Sequence, residues 1–248
     1  MGKVILIASG KGGTGKTMFA VNFAATLANC GKRTVVLDMD LGLRNLDLYL
    51  GLENNVVYDV YDVMTGLCKI KQALIPDKRF ENLYFMAASP NREEGMLTPL
   101  HMKVLCRRLA EKFDYVLIDS PSGIDDSLVL ASAGADEAII ITNPEYAALR
   151  DADALDREFL KLGINKRWAV LNKVIADMIN RGFAPSLQEV SSLIRAPLAG
   201  VIQFDENIHI STCLGIPIVL KDDTYIRENF INIANRIIEE KEEEVGLK

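Results

Sequence analysis

Gly10-Lys11-Gly12-Gly13-Thr14-Gly15-Lys16-Thr17 fits the pattern G-x-x-x-x-G-K-[ST]. It follows the short apolar run Val4–Ala8 and precedes a helical pattern that starts at Thr17. Phe19, Phe23, Thr26, Leu27 and Cys30 recur there at helical spacing, and Gly31 stands where a helix ends with positive φ. A phosphate loop needs this setting. A strand end delivers it, glycines let the backbone curl with its N–H groups inward, and a helix N-terminus favours the anion. In the pattern, Lys16 reaches the β- and γ-phosphates and the Thr17 hydroxyl ligates Mg²⁺. An ordinary glycine-rich turn has no need of Lys and Thr at these two places. The nucleotide-binding stretch is therefore read as Gly10 to Thr17, with Met18 next to it.

Working outward, strand and helix patterns alternate. Thr34–Leu37 is a second β-rich run, closed by Asp38-Met39-Asp40, and a loop-rich stretch follows from Leu41 to Gly51. Short helices are expected over Val57–Met64 and Ile70–Leu74. Further strands are expected at Asn82–Ala87, Tyr115–Ile118, Glu137–Thr142, Trp168–Leu171 and Leu198–Ile202. Longer helices are expected from Thr98 to Lys112, with Thr98 as N-cap and Pro99 at the first helical position, and from Tyr146 to Leu162. Others are expected near Ser186–Ile194 and from about Asp223 past Ile238, where Ile226, Phe230, Ile233 and Ile237 form one apolar stripe. No linker, repeat or composition shift divides the chain. The expected fold is α/β: a single doubly wound, mostly parallel sheet with helices on both faces. One domain is expected over 1–238, followed by an acidic C-terminal tail over 239–248 that is expected to be disordered.

Ligands on such sheets bind outside the carboxyl ends of the strands, and acidic residues stand there. Asp119 ends the run Tyr115-Val116-Leu117-Ile118 and is read as a Mg²⁺ ligand, directly or through water. The alternative is an Asp that starts the Ser120-Pro121 turn. Gly123, just beyond, is expected to offer a backbone N–H to the γ-phosphate. Asp38 and Asp40 end the second strand one residue apart, where a metal and a water to be oriented would offset their repulsion. Asp40 is read as orienting the attacking water and Asp38 as ordering the metal's water shell, against the alternative of a solvated turn. Lys11 is a second lysine that an ordinary phosphate loop does not need. It is either a solubilising surface residue or a cation given to another subunit's phosphates, and spacing does not choose between these.

Composition narrows the setting. The 248 residues are 49% apolar and 25% charged, with a net charge of −6, so an extended nucleic-acid footprint is not expected. Cys30, Cys68, Cys106 and Cys213 form no C-x-x-C, so a reducing compartment is expected and each cysteine is read as core filler. No apolar run approaches a membrane span.

Lys11-Gly12-Gly13-Thr14-Gly15-Lys16-Thr17 resembles the deviant Walker A motif of the ParA/MinD ATPases, P-loop NTPases of the SIMIBI type. Asp38-Met39-Asp40-Leu41-Gly42-Leu43-Arg44-Asn45-Leu46-Asp47 is similar to the switch I region of MinD-like members, and Asp119-Ser120-Pro121-Ser122-Gly123-Ile124 and Thr142-Asn143-Pro144-Glu145 continue the match. The likeness extends to about residue 235. It implies an ATPase, slow until dimerised or stimulated, that uses ATP/ADP and Mg²⁺ and forms a homodimer when ATP-bound. Lys11 would reach the partner's phosphates, while Lys16, Thr17, Asp40 and Asp119 serve their own subunit. Asn172 would lie near the adenine. The family implies recruitment of a division inhibitor and a regulator in placing the division septum, with Glu145 and Arg150 as candidate contacts. Relatives that position flagella or partition DNA, and a scaffold that hydrolyses weakly, are the alternatives. Three departures stand out. Met18 replaces a Thr, and Gln203 replaces a Pro expected beside the base. The run from Glu239 to Lys248 is acidic where MinD-like members carry a basic amphipathic helix. Anionic lipid attracts clustered Lys and Arg, so no autonomous membrane binding is expected. A cytoplasmic protein that meets the membrane only through a partner is expected.

Overall fold

The computed structural model describes residues 1–41, 43–90, 97–222 and 224–239. Of the acidic tail expected to be disordered over 239–248, Glu239 instead ends the last helix, and 240–248 lie outside the described residues.

The chain alternates as expected. β1 (Lys3–Ala8) leads to α1 (Lys16–Asn29) and β2 (Thr34–Asp38); α2 (Leu46–Leu50), α3 (Val60–Thr65) and α4 (Ile70–Ala73) follow. β3 (Ile75–Pro76), β4 (Leu83–Met86), α5 (Pro99–Ala110) and β5 (Tyr115–Asp119) come next. Then come α6 (Asp126–Ser132), β6 (Glu137–Thr142), α7 (Tyr146–Lys161), β7 (Lys166–Val174), α8 (Ala176–Asn180) and α9 (Leu187–Leu193). β8 (Leu198–Gln203), α10 (Glu206–Cys213) and α11 (Tyr225–Glu239) complete it. One sheet runs β3-β4-β2-β5-β1-β6-β7-β8, parallel except for β3 on β4. Pro76 is tolerated because β3 is an edge strand. The chain leaves β1 toward one side of the sheet and later returns to fill the other. This places the end of β1 at a topological switch point.

Successive side chains of a strand point to opposite faces. Ile5 and Ile7 of β1 enter one apolar layer, with Phe19, Phe23 and Leu27 of α1 and Phe230 and Ile233 of α11. Val4, Leu6 and Ala8 enter the other, with Leu105 and Leu109 of α5 and Leu149, Leu155 and Phe159 of α7. Both faces being covered explains why these strands read as unbroken apolar runs. Each fully buried Leu or Phe contributes about 1.5–3 kcal/mol. Phe19 stacks on Phe23 at 5.2 Å between ring centroids and meets Phe230 at 5.7 Å. The stripe Ile226, Phe230, Ile233 and Ile237 is therefore buried core.

Several elements were not foreseen. α2 lies inside the expected loop; at five residues it is too short to show a period. It is held by an Arg44–Asp47 ion pair at 2.6 Å and closed by Gly51 in the left-handed region. α6 and α10 are also short, and begin at the capping aspartates Asp125 and Asp205. Of the cysteines, Cys106 is buried, but Cys30 and Cys213 are exposed; one lies at the end of α1 and the other at the end of α10, where side chains face outward.

Candidate functional site

The loop after β1 curls through two glycines with positive φ, Gly13 at 79° and Gly15 at 92°. A Cβ at Gly13 would meet nothing, so only backbone conformation asks for glycine there. At Gly15 a Cβ would stand 2.3 Å from Asn172 Nδ2, so space asks for it as well. Gly15 caps α1 without any side-chain hydrogen bond, and the first turn of α1 contains no acidic residue. The first N–H groups of a 14-residue helix thus face the loop without a carboxylate of their own. That suits an anion held by backbone.

Three side chains converge at this helix end. Lys16 Nζ donates to Asp119 Oδ1 at 2.8 Å, and Thr17 Oγ1 donates to Asp119 Oδ2 at 2.7 Å. Asp119 is 1% exposed and Lys16 7%. Lys16 and Thr17 point at Asp119 because β1 and β5 are adjacent, with Ile7 beside Asp119 in register. On the far side of β5, Asp38 of β2 lies beside Asp119 in register. Adjacent strands are about 4.8 Å apart, so two carboxylates share one sheet edge. Asp38 accepts the backbone N–H groups of Asp40 at 3.0 Å and Leu46 at 3.1 Å. Burial first, and the neighbouring Asp119 charge second, push its carboxyl up to about 7. Asp40 stands half-buried just beyond the strand, and its carbonyl accepts the N–H of Leu43 at 3.2 Å.

The other expected residues surround this centre. Lys11 lies at the rim, with Nζ 2.8 Å from Glu145 Oε2 in an exposed pair. Gly10 is packed against α7, where a Cβ would come 2.7 Å from the Asp151 carbonyl. Thr14 is buried, and its carbonyl accepts Asn172 Nδ2 at 2.7 Å; Asn172 is itself 1% exposed. The Asn143 amide lies 3.3 Å from the same carbonyl, and its nitrogen would donate there with the amide oxygen and nitrogen exchanged. Gly12 is open, its nearest neighbour being Ser122 Oγ at 3.8 Å from a Cβ. Met18 sends its side chain into the core. The Gly123 N–H donates to the Ser9 carbonyl at 3.0 Å, its φ of 98° folding the turn back against the loop's root. Sequence reasoning missed Lys173, whose Nζ reaches the Gly13 carbonyl at 2.7 Å. Its place beside Asn172 was the only signal.

The donor set fits the groups that the motif implies. Asp119, Asp38 and the Thr17 hydroxyl are hard oxygen donors of the kind Mg²⁺ takes, and Lys16 with the uncapped helix end suits phosphate oxygens.

A family model described as an AAA domain matches residues 2–168. The septum site-determining protein MinD of Synechocystis sp. is 40% identical over 238 residues, covering 96% of this chain and 90% of that protein. Among solved structures, the MinC:MinD cell division protein complex of Aquifex aeolicus superposes with a TM-score of 0.89 at 33% identity, covering 99% of this chain and 98% of that one. The septum site-determining protein MinD of Pyrococcus horikoshii, complexed with Mg-ADP, superposes with a TM-score of 0.86 at 30% identity, covering 96% of each. With its strand order, its phosphate loop and these relatives, the chain belongs to the MinD family of septum site-determining ATPases.

Proposed function

We propose that this ATPase works as a dimerisation switch: ATP-loaded monomers close face to face, and hydrolysis parts them. The observation that carries the reading is the convergence of Lys16 and Thr17 on Asp119 at an uncapped helix end. Lys16 holds the β- and γ-phosphate oxygens, and Thr17 and Asp119 hold Mg²⁺, with Asp38 ordering its water shell. Mg²⁺ held by these residues would supply charge neutralisation for phosphoryl transfer. Asp40 orients the attacking water. The backbone N–H groups from Gly10 to Met18 line the phosphates, and Asn172 supports the loop on the side of the base.

Lys11 is the residue that makes the site depend on a second subunit. Its ion pair with Glu145 is exposed, and such pairs contribute about 0–1 kcal/mol. It is therefore easily exchanged for a partner's phosphates. The dimer would then present α7, with Glu145 and Arg150, to partners such as a division inhibitor. The Aquifex aeolicus relative was solved as a complex with MinC. Attachment to membrane is assigned to a partner, and nucleotide-dependent pelleting of the chain alone with anionic liposomes would overturn that assignment.

Mass measurement in solution tests the switch. Asp40→Ala with Mg-ATP should run as a dimer and with Mg-ADP as a monomer. A mass that is the same with both nucleotides would sink the proposal.

A further inference from the structure

We infer that Lys173 is a positioning residue that, together with Asn172, clamps the phosphate loop from the strand behind it. The inference rests on the nucleotide reading above and deepens it. In the pairing of β7 with β8, Leu171 faces Val201 and Val174 faces Gln203, so Asn172 and Lys173 together stand opposite the single residue Ile202. This is a β-bulge, a device that re-aims side chains next to functional sites. Lys173 adopts φ 58°, one of two described non-glycine residues with positive φ. A long side chain in that region is strained, and strain persists only where the surroundings hold it.

The bulge sends two consecutive side chains to two consecutive carbonyls. Lys173 Nζ donates to the Gly13 carbonyl at 2.7 Å, and Asn172 Nδ2 to the Thr14 carbonyl at 2.7 Å. A peptide unit is planar and trans, so its C=O and N–H point in opposite directions. Holding the Gly13 carbonyl toward Lys173 turns the Thr14 N–H away from it. Holding the Thr14 carbonyl toward Asn172 does the same for the Gly15 N–H. The clamp thus pre-sets the amides on the far side of the loop, the side where an anion would be received. Gly13 and Gly15 have little conformational preference of their own, so without the clamp the loop must be ordered at the moment of binding.

Titration calorimetry with Mg-ADP tests this on the full chain and three variants. Lys173→Met should weaken ADP binding about fivefold to tenfold, the size expected for one solvent-exposed hydrogen bond. Lys173→Gly relieves the backbone strain and should lose affinity equally with no loss in Tm, which separates contact from folding. Lys173→Arg should recover most of the affinity. The loss should persist in about 0.5 M KCl, where steering by a surface charge is screened. In turnover, KM should rise with kcat within about twofold. A folded Lys173→Met or Lys173→Gly protein that binds ADP as tightly as wild type would overturn the clamp, as would a loss that vanishes at high salt. A wild-type chain that takes up no ADP would instead sink the nucleotide reading itself.

Discussion

Asp119 carries two burdens at once, since one carboxylate answers both the Lys16 charge and the Thr17 hydroxyl. Removing one partner of a buried pair leaves the other charge uncompensated, which costs about 3–5 kcal/mol. Asp119→Ala should therefore lower the urea midpoint of the nucleotide-free protein sharply as well as abolish nucleotide binding. A variant with wild-type stability would show that Lys16 finds water instead. Asp38 makes a different prediction. Its carboxyl ionises near 7 in the folded chain, against an ordinary value of 3.8. Between those values the folded state holds a proton that the unfolded state has lost, so its contribution to stability falls as pH rises from about 4 to about 7, and is flat outside that window. In nucleotide-free protein, the stability gap between wild type and Asp38→Asn should shift toward the variant across that window, by a few kcal/mol at most. Parallel curves from urea titrations at each pH would disprove the assignment.

At the scale of elements, the loop and α1 form one unit in which glycine has two separate reasons to be present. Gly15 and Gly31 share a positive φ, but only Gly15 faces an obstacle, the Asn172 amide. Gly31→Ala should cost about 1–2 kcal/mol of backbone strain and leave ADP affinity unchanged. Gly15→Ala should cost more and also weaken ADP binding, because the loop must move off Asn172. Equal stability losses, measured by chemical denaturation, would mean that the amide yields freely. Both glycines were legible from position alone, one in a motif and one after a helical run. The short helices α2, α6, α8 and α10 were not. None spans enough turns for a hydrophobic period to emerge; α6 and α10 start at the capping aspartates Asp125 and Asp205, whereas α2 and α8 have no side-chain cap.

Across the whole molecule, Arg79 joins distant segments. Its guanidinium pairs with buried Asp77 through two hydrogen bonds, at 2.8 and 2.6 Å, and also donates to the Leu50 carbonyl at 2.6 Å and the Gly215 carbonyl at 2.8 Å. Gly51 and Gly215 meet so closely there that a Cβ on Gly215 would lie 2.6 Å from the Gly51 Cα. Arg79→Ala should cost about 3 kcal/mol, read as a fall in the urea midpoint, since it orphans a buried carboxylate and two carbonyls. A loss under about 1 kcal/mol would mean that water replaces the arginine.

The phosphate loop, the carboxylates at the strand ends and the alternation of strands with helices were all written in short stretches of sequence. Each depends on near neighbours along the chain: a glycine pattern, an acidic residue closing an apolar run, a periodicity. The order of the strands was not written there. Only the folded sheet places β5 between β1 and β2, and so brings Asp119 to Lys16 across 103 residues of sequence and to Asp38 on its other side. That same burial raises the proton affinity of Asp38, and the bulge in β7 sets Lys173 behind the loop. Sequence determined which chemical groups the site contains, because motifs are local. The tertiary structure decided their distances and charge states, because these follow from packing between segments far apart in the chain.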